Sequence, residues 1–316
     1  MSPPAAPPPM STTAKRERWL KPGRIGVIAG HTFTQLVRMK VFYFMAIFAL
    51  IVIVSNFFNL PYFEGPEAVA ENQLRMLKSA SFGAMKLFAV VFAVVATALL
   101  LPRDVEDRTL YTILAKPVPR IDYLLGKLLG VLALVGASLL LMDLIMTGVL
   151  AFRAHLVLDE QMALADARGW PAELRQAVRD DVGRQGPTWS LQGGIAAILL
   201  QAAVLAGVSL LISTFSTSTL FTTIISFLIY FIGHLQADAR EFWLRSAEGG
   251  QSLWGRLASL AAAVMLPDFQ LFNVVDAAIE GQAIAPATIG QLAGVSLLYV
   301  AAYTLLSWFV FADKEF

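Results

Sequence analysis

Cysteine is absent from all 316 residues. That excludes disulfides, thiolate metal centres and cysteine nucleophiles. Charge is scarce as well: 15% of the residues are Asp, Glu, Lys or Arg, where a soluble domain carries about a quarter. The formal net charge of +1 gives no overall basic balance that would point to nucleic acid. There is no Gly-x-x-x-x-Gly-Lys-[Ser/Thr] phosphate loop, so the chain lacks that means of cradling ATP. No His-Glu-x-x-His occurs and no histidine–carboxylate cluster lies on one apolar run, which leaves metal-assisted hydrolysis without ligands. His31, His155 and His234 are scattered, and read better as core or interface residues than as a metal site. No repeat of 20–50 residues is found, so a solenoid is unsupported.

What the chain has instead is apolar residue: 57% of it, gathered into long runs with almost no charge, the pattern of membrane spans. Six are expected, at about Val41–Leu60, Ser81–Leu101, Leu124–Ala151, Leu191–Ile212, Phe215–Leu235 and Thr288–Phe311. Each has about the 20 residues that carry a helix across the hydrocarbon layer, and the third, being longer, is expected to tilt. Backbone groups in lipid must be paired within the segment. Leu-, Ala- and Val-rich runs without polar alternation do not suit a β-barrel. The expected fold is therefore an all-α integral membrane protein. The ten methionines stand mostly inside these runs, where packing explains them better than metal binding.

The flanks orient the spans. Lys15, Arg16, Arg18, Lys21, Arg24, Arg38 and Lys40 precede the first. Arg103, Arg108, Lys116 and Arg120 lie between the second and third, with Lys127 in the first turn of the third. The alternate loops lean acidic: three acidic to two basic residues over 61–80, six to five over 152–190, and six to three over 236–287. The positive-inside rule then places both termini in the cytoplasm. Met1–Met10 is rich in Pro and Ala and reads as an extended disordered tail, continuing to about residue 23. A basic segment follows it, so it is not a signal peptide and the first run is an uncleaved anchor. Arg24–Lys40, with Ile25, Val27, Ile28, Phe33, Leu36 and Val37 between its basic ends, is expected as an amphipathic interfacial helix on the inner surface. Pro171 is placed at the first position of a short outer helix. Leu253–Leu266, apolar but short and carrying Trp254 and Arg256, reads as interfacial or re-entrant.

Lys86 and Asp143 are charged residues set more than one turn inside spans. Charge in lipid costs several kcal/mol unless paired or hydrated. The two lie at similar depth in consecutive spans, so they are expected to face the interior. Either they pair, or Lys86 snorkels while Asp143 is wetted alone. Gly126-x-x-x-Gly130 permits a close helix crossing, a pattern common in membrane helices. The hydroxyl run Ser213–Thr219 suits a tight turn between spans four and five.

The link after the second span runs Pro102-Arg-Asp-Val-Glu-Asp-Arg-Thr-Leu-Tyr-Thr-Ile-Leu-Ala-Lys-Pro-Val-Pro-Arg-Ile-Asp-Tyr-Leu-Leu-Gly-Lys127. It resembles the cytoplasmic segment of ABC-2 type permeases: an acidic residue (Glu106 or Asp107), a Thr109-Leu110 pair, a short helix, a Pro117-to-Arg120 turn, and Gly126-Lys127 opening the next span. Many members carry Gly where this chain has Arg108. Thr32–Lys40, Ser213–Leu220, Pro267–Asn273 and Phe311–Phe316 are similar, in order, to the family's entry helix, hydroxyl-rich joint, outer segment and C-terminal ending. The resemblance covers nearly the whole chain from residue 24, which reads as one ABC-2 type transmembrane domain, 24–316. The nearest subgroup is the permeases associated with multicopper-enzyme maturation.

The resemblance implies the permease subunit of an ATP-driven exporter in a bacterial inner membrane. It implies a cytoplasmic ATPase partner that holds ATP and magnesium, a second permease copy or paralogue, and no cofactor on this chain. It implies a coupling helix over about Val105–Ala115 that presents Glu106, Asp107, Arg108, Thr109 and Tyr111 to the ATPase, with Leu110 and Leu114 as anchors. The plain alternative for that segment is a solvated loop whose charges only set orientation. The competing functions are a non-transporting scaffold, a secondary transporter, whose paired broken helices are not evident, and a membrane enzyme.

Overall fold

A computed structural model describes residues 21–55, 69–106, 119–216, 218–247 and 266–312. Among these there are helices and no strand. In chain order they are α1 (Pro22–Val37), α2 (Lys40–Ser55), α3 (Val69–Glu106), α4 (Arg120–Ala167), α5 (Ala172–Gln185), α6 (Trp189–Phe215), α7 (Thr219–Ala247), a 3-10 turn (Gln270–Phe272), α8 (Val275–Ile279) and α9 (Pro286–Ala312).

Five of the described segments are long and apolar enough to cross a membrane, within α3, α4, α6, α7 and α9. They fall on five of the six expected spans. The remaining expected span coincides with α2, of which 16 residues are described. Leu253–Leu266 and the coupling segment Asp107–Leu114 lie outside the described residues, apart from Leu266.

Two helices run well past their apolar stretches. At 1.5 Å per residue, the 38 residues of α3 and 48 of α4 span about 57 and 72 Å, against a hydrocarbon layer of about 30 Å. Sequence reading ended the third span at Ala151. The charges that begin at Arg153 mark the edge of the apolar layer, but the helix continues to Ala167. α5 then folds back beside that extension and beside α3. Pro171 takes the N-cap and not the first helical position.

α6 is the axis of the bundle. In the 172–215 segment, 78% of the most apolar 18-residue stretch is buried, against 17% for α7 and 28% for α9. The central helix thus meets other helices on all sides, while α7 and α9 turn most of their surface outward. α3 and α4 pack on α6 and on each other, and α2 closes on α3. At that contact Phe42 meets Phe92 edge-on at 5.5 Å, and Phe88 and Phe92 stack at 5.6 Å. A second apolar cluster joins Val90 and Val94 of α3, Val204 and Val208 of α6, and Tyr303 of α9 with Phe269 and Phe272.

The 266–281 segment is locked to α7. Phe269 N donates to Gly233 O at 3.1 Å, and Gln270 Nε2 to His234 O at 2.7 Å. A Cβ at Gly233 would stand 2.5 Å from Pro267 O and 2.6 Å from the Phe269 ring. Only a residue without a side chain lets the two backbones approach this closely.

Candidate functional site

The expected coupling segment joins α3 to α4. Of its residues Glu106 is the last of α3; Asp107, Arg108, Thr109, Leu110, Tyr111 and Leu114 lie outside the described residues. What the structure describes is how its downstream end is seated.

α1 lies along the first turns of α4. Pro22 opens α1, where its missing N–H costs nothing and its fixed φ suits a helix start. Ideal Cβ atoms built on α4 would meet α1 at 2.7 Å (Gly126 to Ile28 Cβ and Cγ2) and at 2.6 Å (Gly130 to Thr32 Cβ), with Ala29 O 2.8 Å from the latter. Carbon atoms are at rest near 3.5–4.0 Å, so the two helices cross at a distance only glycine allows. Thr32 is fully buried there. Its hydroxyl donates to Ile28 O at 2.9 Å, leaving its carbon side against Gly130. The 126–130 pattern was ambiguous in sequence; here its partner is α1. α1 was expected as a helix on the inner surface. It keeps an exposed face, with Val27 outward, but Thr32 and Leu36 are sealed in the bundle.

The same foot of α4 also holds the end of α9. Arg120 donates to the carbonyls of Phe311 and Ala312, the latter at 2.7 Å, and its guanidinium lies 5.7 Å over the Phe311 ring. Tyr123 stacks on that ring at 6.2 Å. One turn on, Lys127 is buried with its ammonium 5.6 Å over Tyr123. Asp122, in the first turn of α4, is fully buried.

Residues 27–239 match the family model described as ABC-2 family transporter protein. The chain belongs to the ABC-2 transporter family. A search among curated proteins finds no match. This ABC-2 permease is thus a multi-pass, all-α membrane protein, the transmembrane component of a transporter.

The intramembrane charges are placed separately. Asp143 of α4 is buried and accepts from Gln192 Nε2 of α6 and from Thr147 Oγ1, both at 3.1 Å. Lys86 of α3 is half-buried, and Asp276 of α8 lies within electrostatic reach of it. The pairing of Lys86 with Asp143 is therefore not the arrangement found: an amide and a hydroxyl satisfy Asp143, and Lys86 lies within electrostatic reach of Asp276. His234 of α7 lies within electrostatic reach of Lys86 and Asp268; its Nδ1 donates to Tyr230 O at 3.0 Å.

Sequence reading missed a cationic stripe on α3. Lys78 is fully buried, and its Nζ donates to Ala278 O at 3.1 Å, in the last turn of α8. A cation at a helix C-terminus meets the unpaired carbonyls there. Arg75 reaches Glu280 at 4.0 Å. Residues 75, 78 and 86 fall on one face of a helix by the 3.6-residue period, so the stripe was readable. Its first two members stand in the 61–80 stretch, which hydropathy alone reads as a loop.

Proposed function

We propose that this ABC-2 permease couples ATP hydrolysis by a separate cytoplasmic ATPase to substrate export across a bacterial inner membrane. It works as one of two permease subunits, a copy or a paralogue. The observation that carries the reading is how the helices at the two ends of the charged segment are held. Its two ends run directly into α3 and α4, the two longest helices, and the foot of α4 is gripped by α1 through Gly126 and Gly130 and by α9 through Arg120. A push on the segment therefore reaches several helices at once, because closely packed interfaces shift as units and do not deform gradually. The Lys and Arg residues that flank the segment support a cytoplasmic position for it and for both termini. In the proposed roles Glu106, Asp107, Arg108 and Tyr111 meet a groove of the ATPase, and Leu110 and Leu114 anchor the short helix.

Affinity purification of the tagged chain from its native membrane tests the reading. An ATPase is expected to co-purify, and its activity to be stimulated in lipid by members of a substrate panel. Arg108→Glu lowers that coupling while the chain stays in the membrane. No co-purifying ATPase, or labelling of the 107–118 segment from outside intact cells, would sink the reading and favour a scaffold.

A further inference from the structure

We propose that Arg120 is a positioning residue that makes α9 travel with the foot of α4, so that motion of the coupling segment reaches a helix with no chain connection to it. The inference rests on the coupling reading above.

α9 is a peripheral helix. It leans chiefly on α6, with a smaller contact to α4, and turns most of its apolar surface outward. At the end nearest the coupling segment, its hold on α4 is a compact joint. The last carbonyls of a helix have no partner within it, and a cation placed there is also favoured by the helix dipole. Arg120 supplies both, reaching the carbonyls of Phe311 and Ala312. Its planar fork of five donors serves two carbonyls while lying on an aromatic face, here Phe311. Tyr123, one turn along α4, stacks on the same ring. Phe311 and Tyr123 are both fully buried, so the joint is packed as well as hydrogen-bonded. Arg120 is also the first residue of α4, where the chain arrives from the coupling segment. Displacement of that junction moves the guanidinium directly.

The absence of cysteine makes the test simple. Spin labels are placed at Phe309→Cys of α9 with Leu220→Cys of α7, and separately at Leu129→Cys of α4 with Leu220→Cys; all three positions are exposed. Distances are measured in lipid for the complex with its co-purifying ATPase, nucleotide-free and trapped with ATP and vanadate. Both pairs should shift on trapping. In Arg120→Gln the nucleotide-free distances stay the same and the α4 pair still shifts, but the α9 pair does not. Arg120→Lys, which keeps the charge without the fork, falls between. Should Arg120→Gln fail to fold, Phe311→Leu removes the ring contacts, retains the carbonyls, and should reduce the α9 shift alone. An α9 shift of normal size in Arg120→Gln, or an α9 pair that stays still in the otherwise unaltered chain while the α4 pair moves, overturns the proposal. An α4 pair that does not move at all overturns the coupling reading, and this inference with it.

Discussion

Adding one methyl group at Gly130 tests the crossing of α1 and α4. The new Cβ would sit 2.6 Å from Thr32 Cβ, 2.8 Å from Ala29 O and 2.9 Å from Thr32 Cγ2. Two of these are backbone or Cβ atoms, which no side-chain rotation moves away. Restoring ordinary contact near 3.5 Å requires α1 to retreat by about 1 Å. Overpacking of this kind costs about 1–3 kcal/mol. Alanine for glycine inside a helix returns about 1 kcal/mol. Gly130→Ala should therefore lie between neutral and about 2 kcal/mol destabilising. Gly148, also in α4, has nothing within 4 Å of its built Cβ, so Gly148→Ala carries the helix gain without the clash. The gap between the two variants is then about 1–3 kcal/mol, or several degrees in thermal midpoint, measured on purified protein in mild detergent. Gly130→Val should widen the gap. Equal midpoints for Gly130→Ala and Gly148→Ala would refute the claim that this close approach holds α1 to the bundle.

Three further outcomes follow from the geometry. Asp143→Leu leaves the Gln192 amide and the Thr147 hydroxyl without their acceptor, at a cost of about 1–3 kcal/mol, whereas Asp143→Asn keeps an acceptor oxygen; thermal midpoints that rank Leu level with Asn would contradict the assignment. Lys86→Asp combined with Asp276→Lys should recover folded yield relative to either single change, since the two lie within electrostatic reach of each other, while Lys86→Asp with Asp143→Lys should recover nothing; rescue by the second combination would return the pairing to Asp143. Gly233→Val drives a side chain into Pro267 O and the Phe269 ring and should free the 266–281 segment, so a probe thiol at the fully buried Ala278, introduced as Ala278→Cys, should react faster with maleimide than in the parent; an unchanged rate would dissociate the two.

Long apolar runs located five of the spans but not the full length of their helices, because hydropathy reports the thickness of the layer being crossed. Other features depend on rotation about a helix axis or on partners distant in the chain, and sequence order gives neither. Gly126 and Gly130 announced a close contact but not that α1, about a hundred residues earlier, would fill it. Lys86 and Asp143 are near each other along consecutive spans, yet their faces diverge, one toward α8 and the other toward α6. The end of α4 was placed at Ala151 because polarity was taken as the end of the helix, although backbone hydrogen bonding continues wherever water or α5 covers the surface. Lys78 and Arg75 were set aside with the loops for the same reason, as α3 begins well before its apolar stretch. The coupling residues Glu106 to Leu114 were singled out by resemblance, and the structure adds to them only the anchorage of the residues that follow.

The unbroken length of α4 has a mechanical meaning. A rod of about 72 Å pivoting near its foot carries its far tip through roughly 1.3 Å for every degree of tilt. Because the helix is continuous from Arg120 to Ala167, a tilt at its foot would be carried, enlarged, to its far end, where α5 packs beside it.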